Sequence, residues 1–289
     1  MVRLAGFEPA LQPWQVDKDS VLADFKQICK IDIGVKEVTA NAHISRIRRF
    51  LEFCEKANLE VDEPSSIRAF LSPFRDGNQN TYADMVKSIR VFFREYLKSD
   101  IAKSFKVPQP NQGYVKVPSK EELGRFYDAL PNLKSKALFL FYASSGRRRN
   151  EILNLDIKDV DFEKRMLSPV DGESKTKHTW FSFFNDEALE AYRKYENEDG
   201  EKLNGKLFRR TSHLNQIFKE TSEKTGIKIG PQLLREWFCN EMGKLGLADR
   251  YVDAFCGRVP RSVLARHYTD FSPERLKEIY DKAGLKVLS

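Results

Sequence analysis

The apolar residues of the first third of the chain recur every three or four positions, which is the spacing of one face of an α-helix. This pattern predicts helices around residues 21–29, 38–57, 64–71 and 81–97, and Ser65 or Ser66 is the expected start of the third. Arginines and lysines occupy the positions outside the apolar stripes. A compact bundle of four or five helices is therefore expected.

The pattern changes between residues 157 and 184, where short apolar groups alternate with polar residues. Short antiparallel strands are predicted there, with turns near Glu163-Lys164 and Asp171-Gly172. Helices are predicted on both sides, because Ser119 and the glutamate at 122 form a capping box and Asn185 is a good helix cap. The predicted fold class is mainly α with a small antiparallel β-sheet.

Residues 105–118 contain three prolines and one glycine, and proline disfavours helix at and before its own position. We interpret this segment as a linker between a helical domain at residues 15–104 and a second domain at residues 119–289. Residues 1–14 contain Pro9 and Pro13 without clean periodicity and are predicted to be an N-terminal arm.

The charge balance permits a nucleic-acid partner without proving one, because 49 Lys and Arg residues against 42 Asp and Glu residues leave a formal charge of +7. The longest apolar run, residues 137–143, is far shorter than the roughly 20 residues of a membrane-spanning helix. The N-terminus lacks the apolar run of a secretory signal. No membrane anchor and a cytoplasmic location are expected.

The four cysteines, Cys29, Cys54, Cys239 and Cys256, contain no C-x-x-C pair and are predicted to be buried, reduced thiols. The four histidines show no ligand spacing, so no metal is expected.

Basic side chains cluster in three segments of the second domain, while the common nucleotide-binding, zinc-protease and serine-hydrolase motifs are missing from the sequence. Taken singly, each cluster is explained by a solvated surface, and Tyr268 by packing. The order of these segments along the chain is a more specific signal of function than any one of them alone. The segments are residues 144–155 with Arg147, Arg148 and Arg149, a predicted hairpin at 173–180 with Lys175 and Lys177, and residues 230–238 with Arg235, followed by Arg258 and Tyr268.

In this order and at these intervals, the segments resemble the tyrosine recombinase (phage-type integrase) family. That family's first box reads roughly T-G-x-R-x-x-E-L-x-x-L, and the residues here that match it are Gly146, Arg148, Glu151, Ile152 and Leu155. The family's nucleophile lies in a sequence like x-Y-T, which Tyr268-Thr269 matches ten residues after Arg258. The resemblance covers about residue 118 to the C-terminus, and the helical first half resembles the family's core-binding domain.

Two positions depart from the family pattern. Gln232 replaces the first histidine of the box H-x-L-R-H, and Arg258 replaces the histidine of L-G-H. Some archaeal and plasmid-borne members are similarly divergent. Gln232 can donate a hydrogen bond but cannot carry a proton as imidazole does, and Arg258 is expected to donate to the phosphate.

The resemblance implies that Tyr268 attacks a DNA phosphodiester and forms a 3′-phosphotyrosyl intermediate, without metal, ATP or another cofactor. Arg148 and Arg235 suit the transition-state charge, because a guanidinium stays charged and offers a planar fork of donors. Each such preorganised donor contributes roughly 3 to 4 kcal/mol in other enzymes. Glu151 is expected to pair with a catalytic arginine.

A hairpin lysine is expected to protonate the leaving 5′-oxygen. Lys175 fits the commoner family spacing, and Lys177 remains the alternative.

Duplex DNA is the expected partner. Basic positions on the predicted helices of the first domain fit contacts to phosphates, namely Arg46, Arg49, Lys87, Arg90 and Arg94. The family resemblance implies a homotetramer on two synapsed duplexes, nucleoid-associated in the host cell, with the last helix docking on a neighbouring subunit. The free protein is expected to be monomeric.

The N-terminal arm adds a hypothesis about the target. Gly6-Phe7-Glu8-Pro9 back-translates to GGG-TTC-GAA-CCC, which resembles the T-arm of a tRNA gene. Residues 1–14 would then be partly encoded by an attachment site, as in integrases of archaeal viruses or plasmids that insert into tRNA genes. A chance peptide is the alternative. Two other functions stay open, a catalytically silent DNA-binding protein and a type IB topoisomerase-like relaxing enzyme.

Overall fold

The computed structural model describes residues 17–109, 116–169, 180–199, 204–209, 213–258 and 268–288. The chain forms two compact units, Met1–Tyr114 and Val115–Ser289. Over the described residues, no helix is long and apolar enough to span a membrane. The N-terminal arm and the segment with Lys175 and Lys177 lie outside the described residues.

The first unit is a helical bundle. Its α-helices are α1 (Lys18–Ile31), α2 (Glu37–Ala57), α3 (Pro64–Arg75) and α4 (Gln79–Val91), followed by a π-helical turn (Phe92–Tyr96) and a 3-10 turn (Ile101–Ser104). Aromatic side chains fill the core, with Phe25 and Phe92 in edge-to-face contact at 5.1 Å between ring centroids, and Phe50 and Phe70 at 5.2 Å. Burial of one apolar face per helix therefore drives the bundle together.

Two predicted helix boundaries in this unit are wrong. The cap of α3 is Glu63 rather than Ser65 or Ser66, because Pro64 takes the first helical position, where a missing N–H costs nothing. The helix predicted to run to residue 97 is α-helical only to Val91, after which Leu97 N–H donates to the carbonyl of Phe92 at 3.1 Å. The wider turn accompanies the burial of consecutive phenylalanines at 92 and 93.

The second unit surrounds one apolar helix. Its elements, besides a 3-10 turn (Ile157–Asp159), are α5 (Lys120–Ala129), α6 (Leu133–Ser145), α7 (Arg149–Leu153), β1 (Val160–Asp161), β2 (Met166–Leu167), β3 (Ser182–Phe183), α8 (Asp186–Asp199), α9 (Leu214–Thr225), α10 (Pro231–Lys244), α11 (Asp249–Phe255) and α12 (Pro273–Ala283). Every residue of α6 from 137 to 145 is buried, and α6 packs against α8 and α10. The predicted capping box opens α5, and Asn185 Oδ1 accepts from Ala188 N–H at the start of α8.

The described strands form one antiparallel sheet in the order β1-β2-β3, with Val160 opposite Leu167 and Met166 opposite Phe183. The predicted turn near Glu163-Lys164 lies between β1 and β2. The turn predicted at Asp171-Gly172 lies outside the described residues. These observations confirm the predicted fold class.

The last helix, α12, packs within its own unit. Leu276 and Tyr280 are buried there, and the Tyr280 hydroxyl donates to the carbonyl of Ser144 at 2.8 Å. Past the helix, the backbone N–H groups of Val287 and Leu288 donate to the Glu187 carboxylate. In this single chain the helix therefore packs on the unit to which it belongs, and docking on a neighbouring subunit stays a prediction.

Candidate active site

The end of helix α6 sets the geometry of the first basic segment. Gly146 ends the helix with φ +65°, and a Cβ there would lie 2.5 Å from ring atoms of Phe238. Only glycine fits both the left-handed backbone and this close approach. The turn places Arg147 and Arg148 between α6 and α7, with Arg148 at the N-cap position of α7.

Glu151 holds Arg148 at two points. Its carboxylate accepts from the Arg148 backbone N–H at 2.9 Å and from Arg148 Nη1 at 2.7 Å. Both terminal nitrogens of Arg148 also lie 3.5 Å from the carbonyl of Gly257. The guanidinium is thus oriented at the N-terminus of a short helix and directed towards the turn after α11.

Arg235, on helix α10, reaches the same turn. Its Nη1 donates to the carbonyl of Gly146 at 2.5 Å and its Nη2 to the carbonyl of Cys256 at 2.7 Å. The residue is only 3% exposed, and burial, together with the nearby charges of Arg148 and Arg258, lowers its pKa. Two arginines separated by 87 positions in the sequence therefore lie around one turn.

Arg258 follows this turn directly. Its Nη1 pairs with Asp253 Oδ1 at 3.0 Å, and its Nη2 lies 3.7 Å from Cys239 Sγ. Cys239 Sγ in turn lies 3.3 Å from Cys256 Sγ. A hydrogen bond from the Cys256 thiol, with the charges of Arg258 and Arg235, lowers the pKa of the Cys239 thiol.

The thiol pair was not predicted from the sequence. Cys29, Cys54 and Cys256 are buried as expected, but Cys239 is only half-buried. Burial alone raises the pKa of Cys29 and of Cys54 to about 11, so Cys239 differs from them in environment.

Two further predicted catalytic residues, Gln232 and Tyr268, are exposed. Gln232 is exposed on α10, one turn before Arg235, and its Nε2 donates to Glu236 Oε1 at 3.0 Å. Tyr268 is 78% exposed. Residues 259–267 between Arg258 and Tyr268 lie outside the described residues, as do both hairpin lysines. The structure thus brings together Arg148, Glu151, Arg235 and Arg258.

The predicted DNA contacts of the first unit lie on α2, α4 and the π-helical turn. Arg46 Nη2 and Lys87 Nζ pair with the same carboxylate, that of Asp84, at 3.0 and 3.2 Å. Arg49 lies over the ring of Phe74, with its Cζ 5.3 Å from the centroid. Arg90 and Arg94 line a small pocket with Ser99, Asp100, Ala102 and Lys103.

Arg147 is the clearest departure from the sequence interpretation. Three consecutive arginines indicated a solvated basic cluster, yet Arg147 is only 1% exposed. Its Nη2 donates to backbone carbonyls on both sides of the hairpin segment. The sequence does not distinguish Arg147 from Arg149, because both are arginines next to Arg148. In the structure Arg147 is buried, whereas Arg149 is half-buried.

Comparisons with known proteins identify the family of the chain. A family model described as the phage integrase family matches residues 116–275. The tyrosine recombinase XerA of Thermococcus onnurineus is 26% identical over 251 residues, which is 83% of this chain and 86% of that protein. The tyrosine recombinase XerC of Leptospira interrogans is 26% identical over 285 residues, covering 90% of this chain and 91% of that one.

Solved structures share the fold. A lambda integrase dimer bound to a COC′ core site matches with a TM-score of 0.65 at 15% identity, over 88% of this chain and 96% of that one. The XerH site-specific recombinase bound to a palindromic difH substrate matches with a TM-score of 0.59 at 19% identity, over 89% and 83%. The family match spans more than half of the chain. The chain therefore belongs to the phage integrase family of tyrosine recombinases, enzymes that cleave and rejoin DNA.

Proposed function

We propose that this protein is a site-specific recombinase that cleaves duplex DNA through Tyr268 and rejoins the strands to a new partner. The observation that carries the proposal is the convergence of Arg148 and Arg235 on the turn at Cys256 and Gly257. Both guanidiniums are anchored to protein atoms there, and a guanidinium has five N–H groups. The donors left over are available to a phosphate.

The reaction follows from these groups. The Tyr268 oxygen loses its proton to solvent and forms a bond to phosphorus, while the bond from phosphorus to the 5′-oxygen breaks. Arg148 and Arg235 stabilise the extra negative charge on the phosphate oxygens in the transition state. The covalent phosphotyrosine conserves the energy of the phosphodiester, so a 5′-hydroxyl of a partner strand can reverse the step.

The leaving 5′-oxygen needs a proton, and we assign it to Lys175, with Lys177 as the alternative. Arg258 acts as a further donor to the phosphate, which its place next to Gly257 supports. Gln232 donates a hydrogen bond from the face of α10 that carries Arg235. Glu151 keeps Arg148 oriented through the contacts given above.

Duplex DNA is the proposed substrate, bound partly by Arg46, Arg49, Lys87, Arg90 and Arg94 of the first unit. The matched lambda integrase and XerH structures contain bound DNA, which supports this assignment. A homotetramer on two duplexes would perform strand exchange. The target would be a tRNA gene, and the reaction would integrate or excise a mobile element such as an archaeal virus or plasmid.

A covalent trapping experiment tests the function. A nicked duplex carrying the coding sequence of residues 1–14 is mixed with the wild type and with Tyr268→Phe, and the products are separated on a denaturing gel. We expect a shifted protein–DNA band with the wild type alone. A band on other duplexes but not on this one contradicts the tRNA-gene target and leaves the recombinase intact.

The two other candidate functions give different results. A catalytically silent DNA-binding protein would bind duplexes tightly and form no covalent band on any of them. A type IB topoisomerase-like enzyme would form the band and relax one supercoiled duplex, without exchanging strands between two.

A further inference from the structure

Arg147 is buried in the second unit, and within the described residues its side chain donates to backbone carbonyls rather than to a carboxylate. Its Nη2 donates to the carbonyls of Leu167, Ser168 and Trp180 at 3.0, 2.9 and 2.7 Å. Its Nε and Nη1 are buried and have no hydrogen-bond partner in the described part of the chain. Burial, reinforced by the charges of Arg235 and Arg148 and opposed by that of Glu151, lowers its pKa to about 10.

This arrangement is energetically less favourable than an apolar side chain at the same place. A buried charge with incomplete hydrogen bonding costs free energy, and well-packed apolar side chains often replace buried charges without loss of stability. A methionine would fill part of this volume without burying a charge. The positions of its three carbonyl acceptors therefore indicate a role for the Arg147 guanidinium beyond filling the core.

The acceptors are the two ends of one connection. Leu167 ends β2 and Ser168 follows it, whereas Trp180 comes two residues before β3 begins. These strands pair over only two residues each, so the ladder alone holds the ends weakly. One nitrogen of Arg147 therefore bridges the departing and the returning strand.

The Trp180 end of this connection also contacts the segment that follows Tyr268, the proposed nucleophile. The Trp180 ring packs edge-to-face on Phe271, with 4.3 Å between centroids. Phe271 lies three residues after Tyr268. Arg147 itself is the neighbour of Arg148. A connected set of contacts thus joins the arginine turn, the ends of the hairpin connection and the chain that follows the tyrosine.

We propose that Arg147 is a positioning residue for proton transfer to the leaving group. It fixes Ser168 and Trp180, and thereby the base from which the segment carrying Lys175 and Lys177 extends. This role rests on the proposed function, because it assumes that one of those lysines protonates the 5′-oxygen. Arg147 makes no contact with the phosphate in this role.

A change of leaving group separates this role from a general structural one. A duplex with sulfur in place of the bridging 5′-oxygen releases a thiolate, which needs no proton from the enzyme. Arg147→Met is compared with wild type on the oxygen and sulfur forms of a duplex that the wild type cleaves, at saturating protein. Arg149→Met is the matched control, because it removes a charge on the other side of Arg148.

We expect Arg147→Met to slow covalent adduct formation on the oxygen duplex by about 10²-fold, within the range of general acid catalysis. On the sulfur duplex its rate returns to within about 3-fold of the wild type, as expected when proton donation is no longer needed. Lys175→Ala or Lys177→Ala reproduces this pattern, and Arg149→Met does not. Equal slowing on both duplexes, or no slowing on either, overturns the proposal.

Amide hydrogen exchange tests the anchoring without any catalysis. We expect faster exchange in Arg147→Met than in the wild type for peptides covering residues 165–169 and 180–184, and unchanged exchange in Arg149→Met. Unchanged exchange in Arg147→Met overturns the anchoring role. A wild type that forms no adduct on any duplex overturns the proposed function instead, so the two failures are distinguishable.

Discussion

The basic side chains of the two units differ in what holds them. In the second unit, Arg235 is buried and donates to two backbone carbonyls, and Arg148 is tied to Glu151 and faces the carbonyl of Gly257. In the first unit, Lys87 is exposed and pairs with the surface carboxylate of Asp84, which also pairs with Arg46. Arg148 and Arg235 are thus fixed by the fold, whereas Lys87 is held only by an exchangeable surface ion pair.

The difference indicates a division of labour. Donors that are fixed before substrate arrives need no reorganisation when charge develops, so they act mainly on rate. Exposed ion pairs contribute only about 0 to 1 kcal/mol and are readily exchanged for a phosphate, so they act mainly on affinity and on its salt dependence. The second unit is therefore expected to control cleavage and the first unit to control binding.

The largest effect is expected from Arg235→Lys, which tests whether the second unit controls cleavage. Lysine keeps the charge but has no planar fork, so it cannot donate to both Gly146 and Cys256 while facing a phosphate. We expect single-turnover cleavage to fall by about 10²- to 10³-fold, the effect of losing one preorganised donor. DNA affinity should change little. The exposed Arg193 on α8 offers the control Arg193→Lys, which should cleave normally. A large loss of affinity with normal cleavage at saturation would contradict the division.

A smaller effect is expected from Glu151→Gln. The substitution keeps the shape of the side chain but removes its charge from the pair with Arg148, while the backbone N–H of Arg148 still has an oxygen to bond. A hydrogen bond to a charged group contributes about 1.5 to 3 kcal/mol, which corresponds to roughly a 10- to 100-fold lower cleavage rate. The measurement is single-turnover adduct formation with the melting temperature alongside. If melting falls steeply and cleavage by the folded fraction is normal, Glu151 acts on stability alone.

The family resemblance predicts that Glu151 pairs with a catalytic arginine, and the partner in the structure is the nearby Arg148. Residues three positions apart in the first turn of a helix lie on the same face. The fold class was also predictable, since helical and alternating periods separate clearly in this chain. Gly146, which fixes the turn, was recognisable as part of the family's first box.

The remaining features depend on tertiary structure. The sequence could not tell that Arg147 points inward while Arg149 is half-buried, because the direction is set by the left-handed turn at Gly146 and by acceptors 20 to 33 residues away. The approach of Cys239 to Cys256 likewise requires α10 to pack near the end of α11. Strand β3 starts only at Ser182, and the Trp180 carbonyl before it accepts from Arg147.

The smallest effect is expected from a substitution in the first unit, which tests its assigned role in DNA binding. Lys87→Met removes an exposed charge that we assign to a phosphate contact, and Asp84 keeps its pair with Arg46. Because each neutralised phosphate contributes about 0.9 to the slope of log K against log salt, the slope should become shallower by about one. Affinity at low salt should fall several-fold, and cleavage at saturating protein should not change. Lys56→Met, at another exposed lysine of the same unit, is the matched control and should leave the slope unchanged. If Lys87→Met slowed cleavage at saturation as Arg235→Lys does, the first unit would take part in the chemistry as well as in binding, and the proposed division between the two units would be wrong.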